Sequence, residues 1–148
     1  MAVKYIPEGY HTVTPMLIIS DAAGLIEFAK QAFGAVVTER HDTPEGKVMH
    51  ASIRIGNSHI MLGEASEKWP AIPAMLYLYV EDVDSMYNSA VKAGGVSLRE
   101  PTTEFYGDRS SGVKDSFGNQ WWMATHVEDV SPEEMQRRQE EMMKGQAQ

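Results

Sequence analysis

The sequence contains no cysteine. A disulfide framework, a thiolate metal cluster and a cysteine nucleophile are therefore excluded. No run of about 18 apolar residues is present, the length a membrane-spanning helix needs. Residues 1–9 likewise lack the apolar stretch of a secretory signal. Basic residues are scarce: 13 Lys and Arg stand against 21 Asp and Glu, a formal net charge of −8. Nowhere do they form a patch that would hold a phosphate backbone. Neither nucleic acid nor a membrane is expected as a partner, and the reading is of a soluble cytoplasmic protein. What remains is ordinary: 148 residues, 43% hydrophobic and 23% charged. That suits one globular domain or two small fused modules, and fits disorder, collagen or coiled coil poorly. Ten methionines supply adaptable core material.

The chain repeats itself. Ile19-Ser20-Asp21 and the helical pattern ending at Gly34 correspond to Val80-Glu81-Asp82 and the pattern ending at Gly95, with a spacing of 61 positions. Further on, Ile55-Gly56-Asn57 before His59-Ile60-Met61-Leu62 corresponds to Phe117-Gly118-Asn119 before Trp121-Trp122-Met123-Ala124, the glycines 62 positions apart. One inserted residue accounts for the drift. Two copies of this length do not make a solenoid, so the pattern reads as tandem duplication within a two-module globular domain. The expected organisation is an N-terminal arm (residues 1–11), a first module (12–66), a second module (73–127) and a C-terminal helix (131–144).

Each module reads as strand, helix and three further strands, an α+β architecture of two tandem βαβββ units. In the first, residues 12–19 are rich in β-branched and apolar types. Asp21 offers an N-cap, Leu25, Phe28, Ala29, Ala32 and Phe33 form one apolar stripe, and Gly34 suits a left-handed helix end. Residues 35–40 read as the second strand, and Thr43-Pro44-Glu45-Gly46 as a turn. Residues 47–55 alternate, placing Met49, Ala51, Ile53 and Ile55 on one face and Val48, His50, Ser52 and Arg54 on the other. Gly56-Asn57 predicts a tight hairpin into residues 58–63. The second module repeats this with a strand at 76–80, a helix around 86–93 closed by Gly94-Gly95, a strand at 96–100 and a final strand at 120–126. Its middle segment, 104–112, differs and reads as a glycine-flanked loop carrying Arg109. Beyond it, Ser131-Pro132-Glu133-Glu134 is a helix start. Met135, Met142 and Met143 share a face suited to packing on this chain or a partner, with fraying expected over residues 145–148.

These residues resemble a known family. The two βαβββ copies, the helix sequence Leu25-Ile26-Glu27-Phe28-Ala29-Lys30-Gln31-Ala32-Phe33-Gly34, Gly107-Asp108-Arg109 and the run from Asp115 to Trp122 are similar to the vicinal oxygen chelate superfamily. Within it, the PhnB-like branch of glyoxalase and bleomycin-resistance proteins is the nearer likeness, over about residues 10–130. The resemblance implies a curved, cup-like mixed sheet with helices outside, a small-molecule ligand in the concave face, and a homodimer. It also implies a divalent metal, held by His near the start of each first strand and Glu in each last strand, that grips two substrate oxygens. The positions carried over are Thr14 and one of Ala74, Met75 or Leu76, with Ile60 and Trp122. A shift of one gives Val13 or Pro15, Met61 and Met123. None is a ligand, so the usual metal site is not expected and no cofactor is implied; a divalent metal bound by other residues is the alternative.

Several residues remain candidates. Of five histidines, His11, His41, His50, His59 and His126, His50 shares a face with Ser52 and Arg54. Such a face would line the cup and bind an anion or polarise a carbonyl; the alternative is a satisfied strand residue. Tyr77 and Tyr79, in phase with Met75, and Trp122 would make an aromatic wall for a flat or cationic ligand, or else core. Arg109 would clamp a carboxylate or phosphate, or order its loop by pairing with Asp108 or Asp115. Glu64 and His126 read as equivalent positions, and a displaced metal site would draw on His11, Glu64 and His126, although no fixed spacing unites them. Three functions follow: a metal-independent small-molecule binder; an enzyme of the vicinal oxygen chelate type (lyase, isomerase or transferase), using other metal ligands or His50/Arg109 acid-base chemistry; or a dimerising module whose cup is filled by its own side chains.

Overall fold

The stripe of apolar residues after the first strand does form a helix. In the computed structural model, which describes residues 2–146, β1 (Met16–Ile19) leads into α1 (Ala22–Phe33). The Asp21 carboxylate accepts from the Gly24 amide at 3.0 Å. At the other end Gly34 takes φ 69°, and its amide donates to the Lys30 carbonyl at 3.1 Å. A residue with a Cβ is disfavoured in that left-handed conformation. The predicted stripe is buried against the first sheet, together with Ile26.

β2 (Val36–Asp42), β3 (Val48–Ile55) and β4 (Ser58–Glu64) complete the first module. Its strand order is β1-β4-β3-β2, with β1 parallel to β4 and the other neighbours antiparallel. The second module repeats the pattern: β5 (Met75–Tyr79), α2 (Val83–Lys92), β6 (Val96–Thr103), β7 (Asp108–Lys114) and β8 (Gln120–His126), ordered β5-β8-β7-β6. α3 (Pro132–Gln146) closes the described chain. The tandem βαβββ architecture is thus present as two four-stranded sheets. No ladder joins them among the described residues; the modules meet through their helices, with α1 packed on α2.

Four local expectations are corrected. β1 starts at Met16, not residue 12, because Pro15 has no amide hydrogen to give a ladder and the chain before it leaves the sheet edge. Val48 is buried and Met49 is 61% exposed, the reverse of the expected alternation, where the β2–β3 register shifts between His41 and Asp42. The second module's long loop is only a short turn closed by Gly107 N donating to Glu104 O; residues 108–112 belong to β7, so Arg109 sits on a strand. α3 continues through Gln146, while residues 147 and 148 lie outside the described residues.

α3 is anchored by its first half. Ser131 Oγ accepts from the Glu134 amide at 3.1 Å. Arg138 donates to the Phe105 carbonyl at 3.0 Å and pairs with Glu128 and Glu134. Met142 and Met143 remain exposed.

One buried residue ties the modules together. Trp121 of β8 is fully buried, its ring centroid 4.9 Å from Phe33 and 6.4 Å from Phe28 of α1. A buried indole N–H needs an acceptor, and Asp115 Oδ2 supplies it at 2.8 Å. Asp115 also accepts from the Phe117 and Asn119 amides and from Asn119 Nδ2. Asn119 Oδ1 in turn accepts from the Ala74 amide at 2.9 Å, beside the start of β5. Replacing Asp115 with Ala strands these donors, and we expect a loss of roughly 3–5 kcal/mol in urea denaturation; a loss below about 1 kcal/mol would contradict the assigned role.

Candidate functional site

The helices cover one face of each sheet and not the other; on the second sheet that other face exposes Tyr77 and Tyr79 while Ser110 and Ala124 are buried beneath its side chains. On the second sheet, the parallel register sets Tyr77 beside Trp122 and Tyr79 beside Ala124. The β7–β8 register adds Gly112, Ser110 and Asp108 to the same face. Alternation puts Trp121 on the helix side and Trp122 on the open side, so the two tryptophans divide between core and cup.

The open face is aromatic and held in place by polar contacts. Tyr77 and Tyr79 have ring centroids 5.4 Å apart and are 45% and 66% exposed. Trp122 lies over Gly112, where an added Cβ would stand 2.7 Å from the indole; only glycine admits the ring so close. The indole N–H donates to Gln120 Oε1 at 3.1 Å. Tyr79 donates its phenol hydrogen to Asp108 Oδ2 at 2.9 Å. His126 bridges Asp108 Oδ1 at 2.8 Å and Asp129 Oδ1 at 2.7 Å. Burial around its hydroxyl, with Tyr106 and Asp108 adding to it, pushes the Tyr77 phenol up to about 12. The bond to Asp108 likewise raises Tyr79, so both phenols stay neutral at physiological pH. A groove of about 1230 Å³ runs between the modules, with Tyr77 and Tyr79 among its lining residues.

The corresponding face of the first sheet is covered by the chain itself. Tyr10 donates to Ser52 Oγ at 2.8 Å and stacks on His59 at 4.4 Å, while His59 Nδ1 meets the Gly9 carbonyl at 2.8 Å. Beneath this arm is a cavity of about 550 Å³ lined by residues including Glu39, His50, Ser52 and Met61. His50 and Ser52 are therefore together, as expected, but Arg54 is exposed and does not line that cavity.

Arg109 is elsewhere. It projects from β7 on the helix side, where its guanidinium grips Asp84 of α2 at 2.8 and 3.2 Å and Thr103 at 3.1 Å. This pair lowers Asp84 and raises Arg109. Arg109 forms a strand-to-helix bridge in place of the expected anion clamp or loop-ordering pair, with neither Asp108 nor Asp115 as partner. The His50/Arg109 pairing is not assembled.

The equivalence of Glu64 with His126 is also corrected. Glu64 accepts from the Asp21 and Ala22 amides at 2.7 and 3.0 Å, capping α1. Thr125 Oγ1 accepts from the Val83 amide of α2 at 2.9 Å, so Thr125 is the counterpart. His11, Glu64 and His126 do not converge, and among the described residues no group of three potential ligands could hold a metal. At the positions the resemblance implies, Met61 and Trp122 face the cup, whereas Ile60 and Met123 are in the core. Thioether, indole and hydrocarbon do not fit the hard divalent ion of that chemistry.

Sequence reasoning missed Tyr10, Gly112 and the bridging role of Asp108. A glycine within a strand opposite Trp122 is a readable sign of close approach; contacts of the arm across more than 40 residues leave no local mark.

Comparison with known proteins accords with this geometry. Residues 10–123 match the model of the Glyoxalase/Bleomycin resistance protein/Dioxygenase superfamily. The chain belongs to this superfamily. An uncharacterized protein of Mycobacterium bovis is 31% identical over 135 residues, covering 84% of this chain and 89% of the relative. Among solved structures, TioX from Micromonospora sp. ML1 superposes with a TM-score of 0.69 at 20% identity, covering 79% of this chain and 99% of TioX. TnmS3, described as an antibiotic binding protein from Streptomyces sp. CB03234, superposes with a TM-score of 0.62 at 16% identity, covering 86% of this chain and 99% of TnmS3. Superfamily membership leaves this member's chemistry to its own residues.

The His126 clamp is testable by NMR titration. Hydrogen bonds to Asp108 and then Asp129 raise His126 above the ordinary 6.5. Its stabilising contribution is therefore complete below that value and fades as pH rises through the raised one. Asp108→Asn should lower the His126 midpoint; an unchanged midpoint would show that Asp108 does not set it.

Proposed function

We propose that this protein binds a small molecule on the open aromatic face of the second sheet, without a metal. The observation that carries the reading is the placement of exposed Tyr77 and Tyr79 and half-buried Trp122 on one face, backed by fixed polar contacts. Such a surface supplies large contact area with little ordering cost, because the rings are already positioned. The antibiotic-binding description of TnmS3, which shares the fold, supports a binding role. The first sheet's face is the weaker candidate because Tyr10 already occupies it. Cup-side metal-ligand positions filled by Met61 and Trp122 support binding without a metal. The enzyme reading through His50 and Arg109 loses its support with Arg109 bound to Asp84.

We also propose a homodimer, because Met16 and Met75 leave apolar surface open on the edge strands β1 and β5. Light scattering should then give twice the chain mass.

A screen of small aromatic compounds by tryptophan fluorescence tests the binding role. Hits should lose about 30-fold in affinity in Trp122→Ala, corresponding to about 2 kcal/mol, and should bind equally with EDTA present. Gly112→Ala should weaken them too, by displacing the indole. Full affinity in Trp122→Ala, or loss of binding in EDTA, would overturn the reading.

A further inference from the structure

We propose that the aromatic face selects cationic guests, aromatic molecules bearing a protonated amine; this rests on the reading of that face as the binding site. Most hydrogen-bond donors on this face are already spent within the protein. The Tyr79 phenol spends its hydrogen on Asp108, so its oxygen turns lone pairs, and no donor, toward the cup. The Trp122 N–H is spent on Gln120, leaving the π face of the indole. Tyr77 remains a neutral phenol whose ring stands beside Tyr79. A surface of π faces and a lone-pair oxygen attracts an ammonium group, which has N–H donors and positive charge, and offers a carboxylate only the neutral Tyr77 hydroxyl and no cation.

Charge placement acts in the same direction. Asp108 is 5% exposed, directly behind the Tyr79 hydroxyl. The groove beside β5 carries Glu81 and Asp82 against Lys30. Cations near the face are engaged: His126 is clamped between Asp108 and Asp129, and Arg99 pairs with Glu104. Lys114 shares the face but stands at the opposite end of β7 from Asp108. The chain's net charge of −8 adds a long-range attraction for cations.

A charge-inverted pair of probes tests this: 2-(1-naphthyl)ethylamine and 1-naphthylacetate, titrated calorimetrically into the full-length protein. The amine should bind at least about 10-fold tighter, a difference of about 1.4 kcal/mol. Tyr79→Phe, which removes the oxygen and keeps the ring, should shrink that preference to about 3-fold or less, and Asp108→Asn should do the same. Equal binding of both probes, abolished in Trp122→Ala, would overturn cation selection while leaving the binding site standing. A preference that persists in both Tyr79→Phe and Asp108→Asn would overturn the assignment of selection to these groups. If neither probe binds, or if Trp122→Ala leaves both affinities unchanged, the site and its selectivity fall together.

Discussion

The structure depends on how one buried indole is satisfied. Trp121 brings the largest side chain into the joint between the modules, against Phe28 and Phe33, and burying it leaves one N–H to be accommodated. Asp115 accepts that hydrogen and, with its remaining capacity, folds the β7–β8 turn around Asn119. Asn119 then holds the Ala74 amide, and Ala74 precedes the strand that presents Tyr77 and Tyr79. A single hydrogen-bonded chain thus runs from the core to the strand that forms the candidate site. Because helices and indole fill the joint, the opposite faces of both sheets are left without a helical cover.

Duplication has produced two such faces with different fates. In the first module the arm supplies Tyr10, which seals Ser52 and stacks on His59. In the second, Tyr77 and Tyr79 face solvent beside a half-buried Trp122. The backbone logic has diverged far less than the faces. The last strand of each module caps the helix of the same module, with Glu64 in one and Thr125 in the other. A carboxylate and a hydroxyl serve the same unpaired amides at a helix start.

Much of the fold was legible because its signals are local. Asp21 and Gly34 bracket α1 as capping chemistry predicts, and Gly56-Asn57 closes β3 onto β4. The duplication itself was readable from matched landmarks. Errors arose where tertiary contacts override local pattern. A register shift beside Asp42 inverted the exposure of Val48 and Met49, and pairing with β6 and β8 drew a glycine-rich segment into β7. The site was half legible. Strand alternation placed Tyr77, Tyr79 and Trp122 on one face, and His50 beside Ser52. Arg109 was misread because the orientation of a residue assigned to a loop is undefined, whereas on a strand its phase sends it to Asp84. Glu64 and His126 were paired through a drifting offset that the sheet register resolves.

On the proposed reading, the second sheet's aromatic face, and not the arm-covered first face, receives the ligand. The most direct measurement is the position of a bound aromatic amine in a crystal structure of the complex. The guest's ring is expected against Tyr77 and Trp122, its nitrogen within hydrogen-bond distance of the Tyr79 oxygen, and Tyr10 still bonded to Ser52. A guest lodged between His50 and Ser52, with the arm displaced, would contradict it.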